Sequence, residues 1–498
     1  MSRRVDRGTP AGRNRLGVFG MWLPGVGLLA VAALIWSCGD VSGLRSSLEW
    51  LAEINRHEGA LVRAYGDDGN DEFVAIVEPT SNVMQEGYLA IGHSDSWGQG
   101  YPGLWIVAID LHGTPQSQFY FDNNDGVVIV DAARSSTGRD GPDTLLATGN
   151  LVLNEGNLAV VVIPLDDMVA LGSEAPAARF EAFAIDATTE LEAADLLYFD
   201  PDEPVIVGSS DGHPMIMKLN LESTVPTVVW QMSLTDLDGK FTSCIREPGG
   251  DLIASGTSEE SGDTNALVCR FSSDTGVPIW LLDIGNSSDK EEGGALLWMS
   301  FSGENLVLVG SSADYYPNGW VFHAISAEGG LRKSTFVDIV VVDDDPNPPI
   351  AAVERWPTAD EGFGMFLGTE ATVMEMRRSD DPFRAARRDP SLSDVEFQPD
   401  YVNPVTIAGS WRGLVHAGSM ASIEYLLSNN NDGMLLWPLE GDGASYPANK
   451  FALVSTLDVT PDPLPAKAVP AATALDAVVT ELTGWDLLQD TWPVVAEY

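Results

Sequence analysis

Residues 87–110 read GYLAIGHSDSWGQGYPGLWIVAID. One apolar run ends in Gly92, a polar loop follows, and a second apolar run ends in Asp110. His93, Ser94 and Asp95 stand consecutively in that loop, close to Trp97 and Trp105, and invite a catalytic reading. A nucleophile triad needs three side chains that converge in space, whereas consecutive extended residues point alternately to opposite faces. The comparison that decides is with the rest of the chain.

The same pattern recurs. GYLAIGHS (87–94), DTLLATGN (143–150), EPVIVGSS (203–210), DLIASGTS (251–258), NLVLVGSS (305–312) and GFGMFLGT (362–369) each run from a polar or turn residue through an apolar stretch to Gly and a polar residue. Their glycines are Gly92, Gly149, Gly208, Gly256, Gly310 and Gly368. GMLLWPLEGDGASYPANKFALVSTLD (433–458) reads as a seventh copy, with Pro438 in the place of Gly92. The Tyr-Pro pairs 101–102, 316–317 and 446–447 support that register. An apolar stretch precedes each copy, another follows, and most units carry a fourth, such as TVVWQMSL (227–234). Copies without histidine show that His93 is not required by the pattern.

Four short strands recurring about every fifty residues predict a β-propeller. The expected fold is all-β and seven-bladed, with four antiparallel strands per blade over residues 60–458. ALVRAYG (60–66) resembles the outer strand IWLLDIG (279–285), so the N-terminal strand is expected to close the last blade and protect its edge. An open array or a two-sheet sandwich is the alternative.

SSDTGVPIW (272–280) resembles the Asp-x-x-Gly-x-x-x-Trp turn of quinoprotein-like propeller repeats, and residues 87–110 resemble the Gly-rich repeats of secreted bacterial propeller lipoproteins. The resemblance covers about residues 60–458 and implies architecture rather than activity. Only Trp230 and Trp280 keep the strand-d tryptophan, and the adjacent cysteines of a quinoprotein dehydrogenase are missing.

The N-terminus reads as a targeting segment. Arg3, Arg4, Arg7, Arg13 and Arg15 precede an uncharged stretch, 16–36, and then SCGD. Ile35-Trp36-Ser37-Cys38 resembles a bacterial lipobox, which implies lipidation of Cys38. Trp36 departs from the usual small residue. An ordinary cleaved signal or an uncleaved anchor is the other reading of residues 1–38, and Asp6 weakens a twin-arginine one. Residues 39–59 read as a linker able to hold a short helix. The expected address is the cell envelope, anchored by lipid to the outer or cytoplasmic membrane, or otherwise periplasmic or extracellular.

The chain carries 73 acidic and 27 basic residues, a formal net charge of −46. Such a field repels nucleic acid and favours cations or a basic partner; it also serves plain solubility. Loops between blades are rich in oxygen ligands, so Asp67, Asp68, Asp71, Asp122, Asp125, Asp343, Asp344 and Asp345 are the candidates for calcium, although none matches the twelve-residue calcium loop. No cofactor is otherwise expected. Asp95, Trp97 and Tyr101 are expected on the rim of one acidic face as partner contacts. Arg384, Arg387 and Arg388 fall in an apparent insertion, 377–403, in blade six, and are the other candidates for a partner or an anion. The tail, 459–498, is Pro- and Ala-rich, with a helix expected over 466–482.

Cys244 and Cys269 fall in strands a and c of one blade, separated by strand b. Two strand spacings are roughly 9–10 Å, too far for a disulfide. The sequence thus predicts two buried thiols. The functional expectation is a monomeric binding or scaffold module at the envelope, with a protein or polysaccharide partner. A propeller hydrolase or lyase acting on an extracellular polymer, or an envelope-assembly scaffold, is the alternative.

Overall fold

The structure, a computed structural model, describes residues 60–338 with breaks in the loops, and the strands alone from 352 to 497. The signal and linker segments lie outside the described residues. The described strands build antiparallel sheets that repeat along the chain, an all-β arrangement consistent with a propeller.

Each sheet runs a to d. In sheet I these strands are Asp71–Val77, Tyr88–Ser94, Gly103–Ile109 and Pro115–Asp122. Sheet II has Val127–Ser135, Thr144–Leu151, Leu158–Pro164 and Glu181–Asp186. Sheet III has Leu191–Leu197, Val205–Ser210, His213–Asn220 and Thr227–Ser233. Sheet IV has Asp238–Arg246, Leu252–Glu260, Asp263–Phe271 and Pro278–Ile284. Sheet V has Glu291–Phe301, Glu304–Ala313, Gly319–Ser326 and Leu331–Asp338. Sheet VI has Ala352–Arg355, Met365–Thr369, Thr372–Arg377 and Ala385–Arg388. In sheet VII, Val402–Ser410, Gly413–Ala421 and Asn431–Pro438 are followed by the N-terminal strand Ala60–Gly66, which pairs Ala60 with Pro438 and Tyr65 with Gly433.

Two expectations shift here. The apparent insertion 377–403 holds strand d of sheet VI, at Ala385–Arg388. Four residues, two of them arginine, carry no apolar alternation by which a strand is recognised. Missing that strand displaced the seventh unit: GMLLWP is a third strand, and the second is GLVHAGSMA, with Gly418 opposite Pro404. The expected helix over 466–482 is also absent from the described residues there. Thr473–Ala474 and Val478–Glu481 are strands. Val478, Val479 and Thr480 are β-branched, and the open edge of a sheet supplies the partners that a lone helix would supply itself.

The C-terminal segment in fact adds a fifth strand, e, to six of the sheets. Ala452–Leu453 pairs on sheet VI, Thr456–Val459 on V, Thr473–Ala474 on III, Val478–Glu481 on II, Asp486–Leu488 on I and Val494–Glu497 on VII. The order runs backwards through the sheets, and among the described residues no fifth strand joins sheet IV. TPDPLPAKAVPAA (460–472), which separates the strands on V and III in the sequence, holds four prolines that lack the N–H a ladder needs.

The repeated glycine has a steric cause. Opposite it, strand a bulges: the pairing skips from Phe73 to Ala75 past Gly92, from Ile129 to Asp131 past Gly149, from Ala193 to Asp195 past Gly208 and from Phe241 to Ser243 past Gly256. A Cβ on the glycine would overlap the carbonyl oxygen of Glu72, Val128, Glu192 or Lys240 respectively. A bulge admits an extra residue and re-aims the side chains that follow it.

Among the described residues, neighbouring sheets pack face to face and bury strands on both sides. Gly103–Ile109 is buried at every position, which explains its unbroken apolar sequence. Sheets I and II share a core of residues such as Ile91, Ile106, Leu145 and Val161, and sheets III and IV share Val207, Ile216, Phe241 and Cys269. Tyr65 of the N-terminal strand meets Phe73 edge-on at 5.8 Å, and Phe73 stacks on Trp105 at 4.6 Å. Cys244 and Cys269 are both free and buried, each paired to Ala254 from opposite sides, as the spacing predicts.

The bulge is directly testable. Gly256→Ala is expected to lower stability by about 1–3 kcal/mol in urea denaturation, the range of overpacked sites. Gly212→Ala has open space around its Cβ and suffers only its positive φ of 76°, with an expected cost of about 1–2 kcal/mol.

Candidate functional site

The loops joining d to a, and b to c, lie at one end of each sheet. In sheet I they are clasped together. Asp71 is buried and accepts hydrogen bonds from the hydroxyls of Ser94 and Ser96, the latter at 2.7 Å. The Gly69 amide donates to Ser96 Oγ at 2.8 Å, the Asn70 amide donates to the Asp95 carboxylate, and the Asp95 amide donates to the Asn70 carbonyl at 3.0 Å. Sheet III repeats the device. Asp211 donates its amide to the Glu190 carbonyl at 2.7 Å, and its Oδ1 accepts the Glu190 amide at 2.8 Å. Ser210 donates to Thr189 Oγ1 at 2.9 Å. Asp211 adopts a φ of +50° ahead of Gly212, the Asp-Gly pair that a two-residue hairpin requires. The Ser-Asp that follows the repeated glycine is therefore a latch between loops.

His93 takes no part in a triad. Its Nδ1 lies 3.1 Å from the Ile129 carbonyl in sheet II, and its Nε2 lies 3.8 Å from Glu72. Burial lowers the His93 pKa, against the Ile129 carbonyl and the Asp95 charge, which raise it, and burial raises that of Glu72. His323 is also enclosed, bonded to Ser334 Oγ at 2.8 Å, and burial holds its pKa at about 4.

In sheets II and III the residue after the bulge faces the next sheet. Asp131 accepts the Leu196 amide at 3.0 Å, and Asp195 accepts the Cys244 amide at 2.6 Å. The two carboxyls also hydrogen-bond each other. Burial raises the Asp131 pKa well above its ordinary value, and the neighbouring Asp195 charge and hydrogen bond raise it further. Asp195 is raised by burial, against which its bonds from Asp131 and the backbone act. The pair shares a proton, and its oxygens are spent on joining sheets II, III and IV.

A second junction lies on the outer strands. Trp230 donates its indole N–H to the Ser273 carbonyl of sheet IV at 3.2 Å, and Trp280 donates to the Ala327 carbonyl of sheet V at 3.0 Å. Their rings lie against Gly276 and Gly329, each at positive φ, where a Cβ would collide. The residue opposite each tryptophan in strand c is a cation reaching the same carbonyl: Lys218 at 3.5 Å and Arg270 at 2.9 Å. Lys218 pairs with Glu203 at 2.5 Å, and Arg270 pairs with Glu247 and, at 2.8 Å, with Asp251. The Asp-x-x-Gly-x-x-x-Trp stretch is thus a sheet-to-sheet joint, and its cations are what sequence reading missed. The signal was a Lys or Arg in strand c one cross-strand position from each tryptophan.

Of the residues singled out from sequence, Asp71 and Asp95 are brought together in the clasp. Tyr101 is half-buried against Gly126. Asp122 ends strand d of sheet I, in register with Asp486, and Arg387 and Arg388 lie in strand d of sheet VI beside Leu453 and Ala452. Cys38, Asp67, Asp68, Trp97, Asp125, Asp343, Asp344, Asp345 and Arg384 lie outside the described residues. Among the described residues no three metal-ligating side chains gather.

No family model and no curated protein matches the sequence significantly. Among solved structures, the chain is similar to Sqt1 from Chaetomium thermophilum at 13% identity and a TM-score of 0.40, over 75% of this chain and 97% of that one. The same Sqt1 bound to the N-terminus of the ribosomal protein L10 aligns at 12% identity and 0.40, over 75% and 98%. The class that the sheets define is a propeller-like repeat protein.

Protonation of the carboxyl pair gives a pH test. A folded-state pKa above the unfolded one means that the native state holds the extra proton. That stabilisation is complete below the unfolded pKa and is lost as pH rises through the folded value, at about 1.4 kcal/mol per pH unit per proton. Asp131→Asn keeps a donor toward Asp195 without titrating. Denaturant midpoints followed upward from pH 4 are expected to fall less steeply in Asp131→Asn than in the parent. Equal slopes would place the shared proton elsewhere.

Proposed function

We propose that the chain is a closed, seven-bladed propeller that serves as a binding or scaffold module, exported and held at the cell envelope by a lipid on Cys38. The observation that carries the binding reading is the use of the repeat's reactive-looking residues. Ser94, Asp95 and Asp211 latch loops, and Asp131 and Asp195 join sheets. What remains is a rigid repeat with a strongly acidic surface. Closure is supported by the cyclic contacts of the innermost strands, which run from sheet to sheet and return from Val402–Ser410 to Asp71–Val77. It is supported also by the two chain ends meeting on one sheet, where Ala60–Gly66 lies between Asn431–Pro438 and Val494–Glu497.

The net charge of −46 favours a basic protein partner over an anionic polymer. Calcium at the loops that carry Asp67, Asp68, Asp71, Asp122, Asp125 and Asp343–Asp345 remains a proposal compatible with that charge. The anchor follows from the lipobox resemblance at Ile35–Cys38.

The experiments separate these parts. In a bacterial host fed radiolabelled palmitate, the parent is expected to take up label and Cys38→Ser to lose it; label in both would remove the anchor. Binding to a basic partner such as immobilised polylysine is expected to weaken steeply as salt rises from 50 to 500 mM, as the Debye length shrinks from about 14 to 4 Å. For closure, Val62→Pro in the N-terminal strand removes a ladder N–H opposite Leu436. It is expected to lower the melting temperature by several degrees, as a loss of about 2–3 kcal/mol does in a domain of this size.

A further inference from the structure

Among the described residues, six sheets carry a fifth strand drawn from the end of the chain. These strands are two to four residues long, and each stands at the end of its sheet, paired on one side only. Their partners lie from Arg388 back to Arg63. Each pairing therefore closes a long loop in exchange for a few backbone bonds.

The seam at sheet III carries a second defect. Thr473–Ala474 pairs with Ser233 and Met232 of strand d. Gln231 and Ser233 are alternate residues of that strand, on the face opposite Trp230 and Met232, which pack with sheet IV. They therefore face sheet II, whose fifth strand Val478–Glu481 lies against Thr227–Ser233. Both are 1% exposed, and among the described residues neither the Gln231 amide nor the Ser233 hydroxyl has a hydrogen-bond partner. A buried polar group without a partner has given up its bonds to water and gained none in return. Opening the seam restores them.

We propose that residues 452–497 form a releasable strap, whose strands come away from sheets that stay folded and uncover the outer edges of strands d. It opens at the seam over Gln231 and Ser233. The sheets have other joints: Asp131, Asp195, Trp230 and Trp280 reach Leu196, Cys244, Ser273 and Ala327, all outside the strap. Release also bares Ala60–Gly66, which otherwise lies between Asn431–Pro438 and Val494–Glu497. The strap thus governs access to the N-terminal strand and to edges able to pair with another extended chain. The inference needs neither the lipid anchor nor the envelope address.

The test is native-state amide exchange of the full chain in low urea, read by mass spectrometry of fragments. The amides of the strap strands are expected to open about 100-fold more often than those of Gly103–Ile109, a buried inner strand, and to do so without global unfolding. Gln231→Leu keeps the side-chain volume and removes the orphaned amide. It is expected to slow strap exchange about ten-fold while leaving Gly103–Ile109 unchanged. Ser233→Ala is the smaller change and is expected to act in the same direction, which guards against a folding defect in the first variant. Strap amides that exchange only with global unfolding, at the rate of Gly103–Ile109, would make these strands a permanent part of the sheets and overturn the proposal. Strap exchange that is unmoved or faster in both variants would likewise overturn it, because the seam would then not be where the strap opens.

Discussion

The contact on which the structure depends is the close approach of a strand-b glycine to a strand-a carbonyl. At Gly92, Gly149, Gly208 and Gly256 the neighbouring oxygen occupies the place where any other residue would carry its Cβ. That approach lets strand a bulge, and the bulge turns the next residue toward the following sheet. Asp131 and Asp195 occupy that position and reach the amides of Leu196 and Cys244, each one residue further along strand a of the next sheet. One backbone irregularity, repeated at a fixed place, therefore sets both the glycine of the repeat and the joint between sheets.

The outer strands are tied by different chemistry to the same end. A tryptophan, a cation and a tight-turn glycine meet at a carbonyl of the next sheet. One set of joints is made of carboxyls and amides on strands a, the other of indoles and cations on strands c and d. Between them lie apolar faces buried on both sides, which is why the strands read as unbroken apolar runs rather than as alternating ones. The C-terminal strands then cover most of the outer edges, an answer to the hazard that every exposed sheet edge presents.

Much of this was legible in the residues. The glycine spacing yields the sheets, and the placement of Cys244 and Cys269 either side of Ala254 follows from counting strands. The dismissal of a triad at His93–Asp95 followed from comparing copies, and the latch formed by Ser94 and Asp95 supplies its physical content. Strand d of sheet VI was hidden because Ala385–Arg388 is short and cationic. The seventh copy was misplaced by one strand as a result, although GLVHAGSM fits the repeat better than GMLLWPL.

The sequence by itself determined the local grammar: where apolar runs begin and end, where glycine must stand, and how far apart two cysteines fall. These depend on residues near one another in the chain, where sterics and strand periodicity act directly. Only the tertiary structure decided which edges the last residues of the chain would join. Val478–Glu481 reads equally as helix or strand until strand d of sheet II, nearly three hundred residues earlier, offers its unpaired backbone. The pairing of Asp131 with Asp195 is of the same kind, since two acids choose to share a proton only when the fold has removed the water between them.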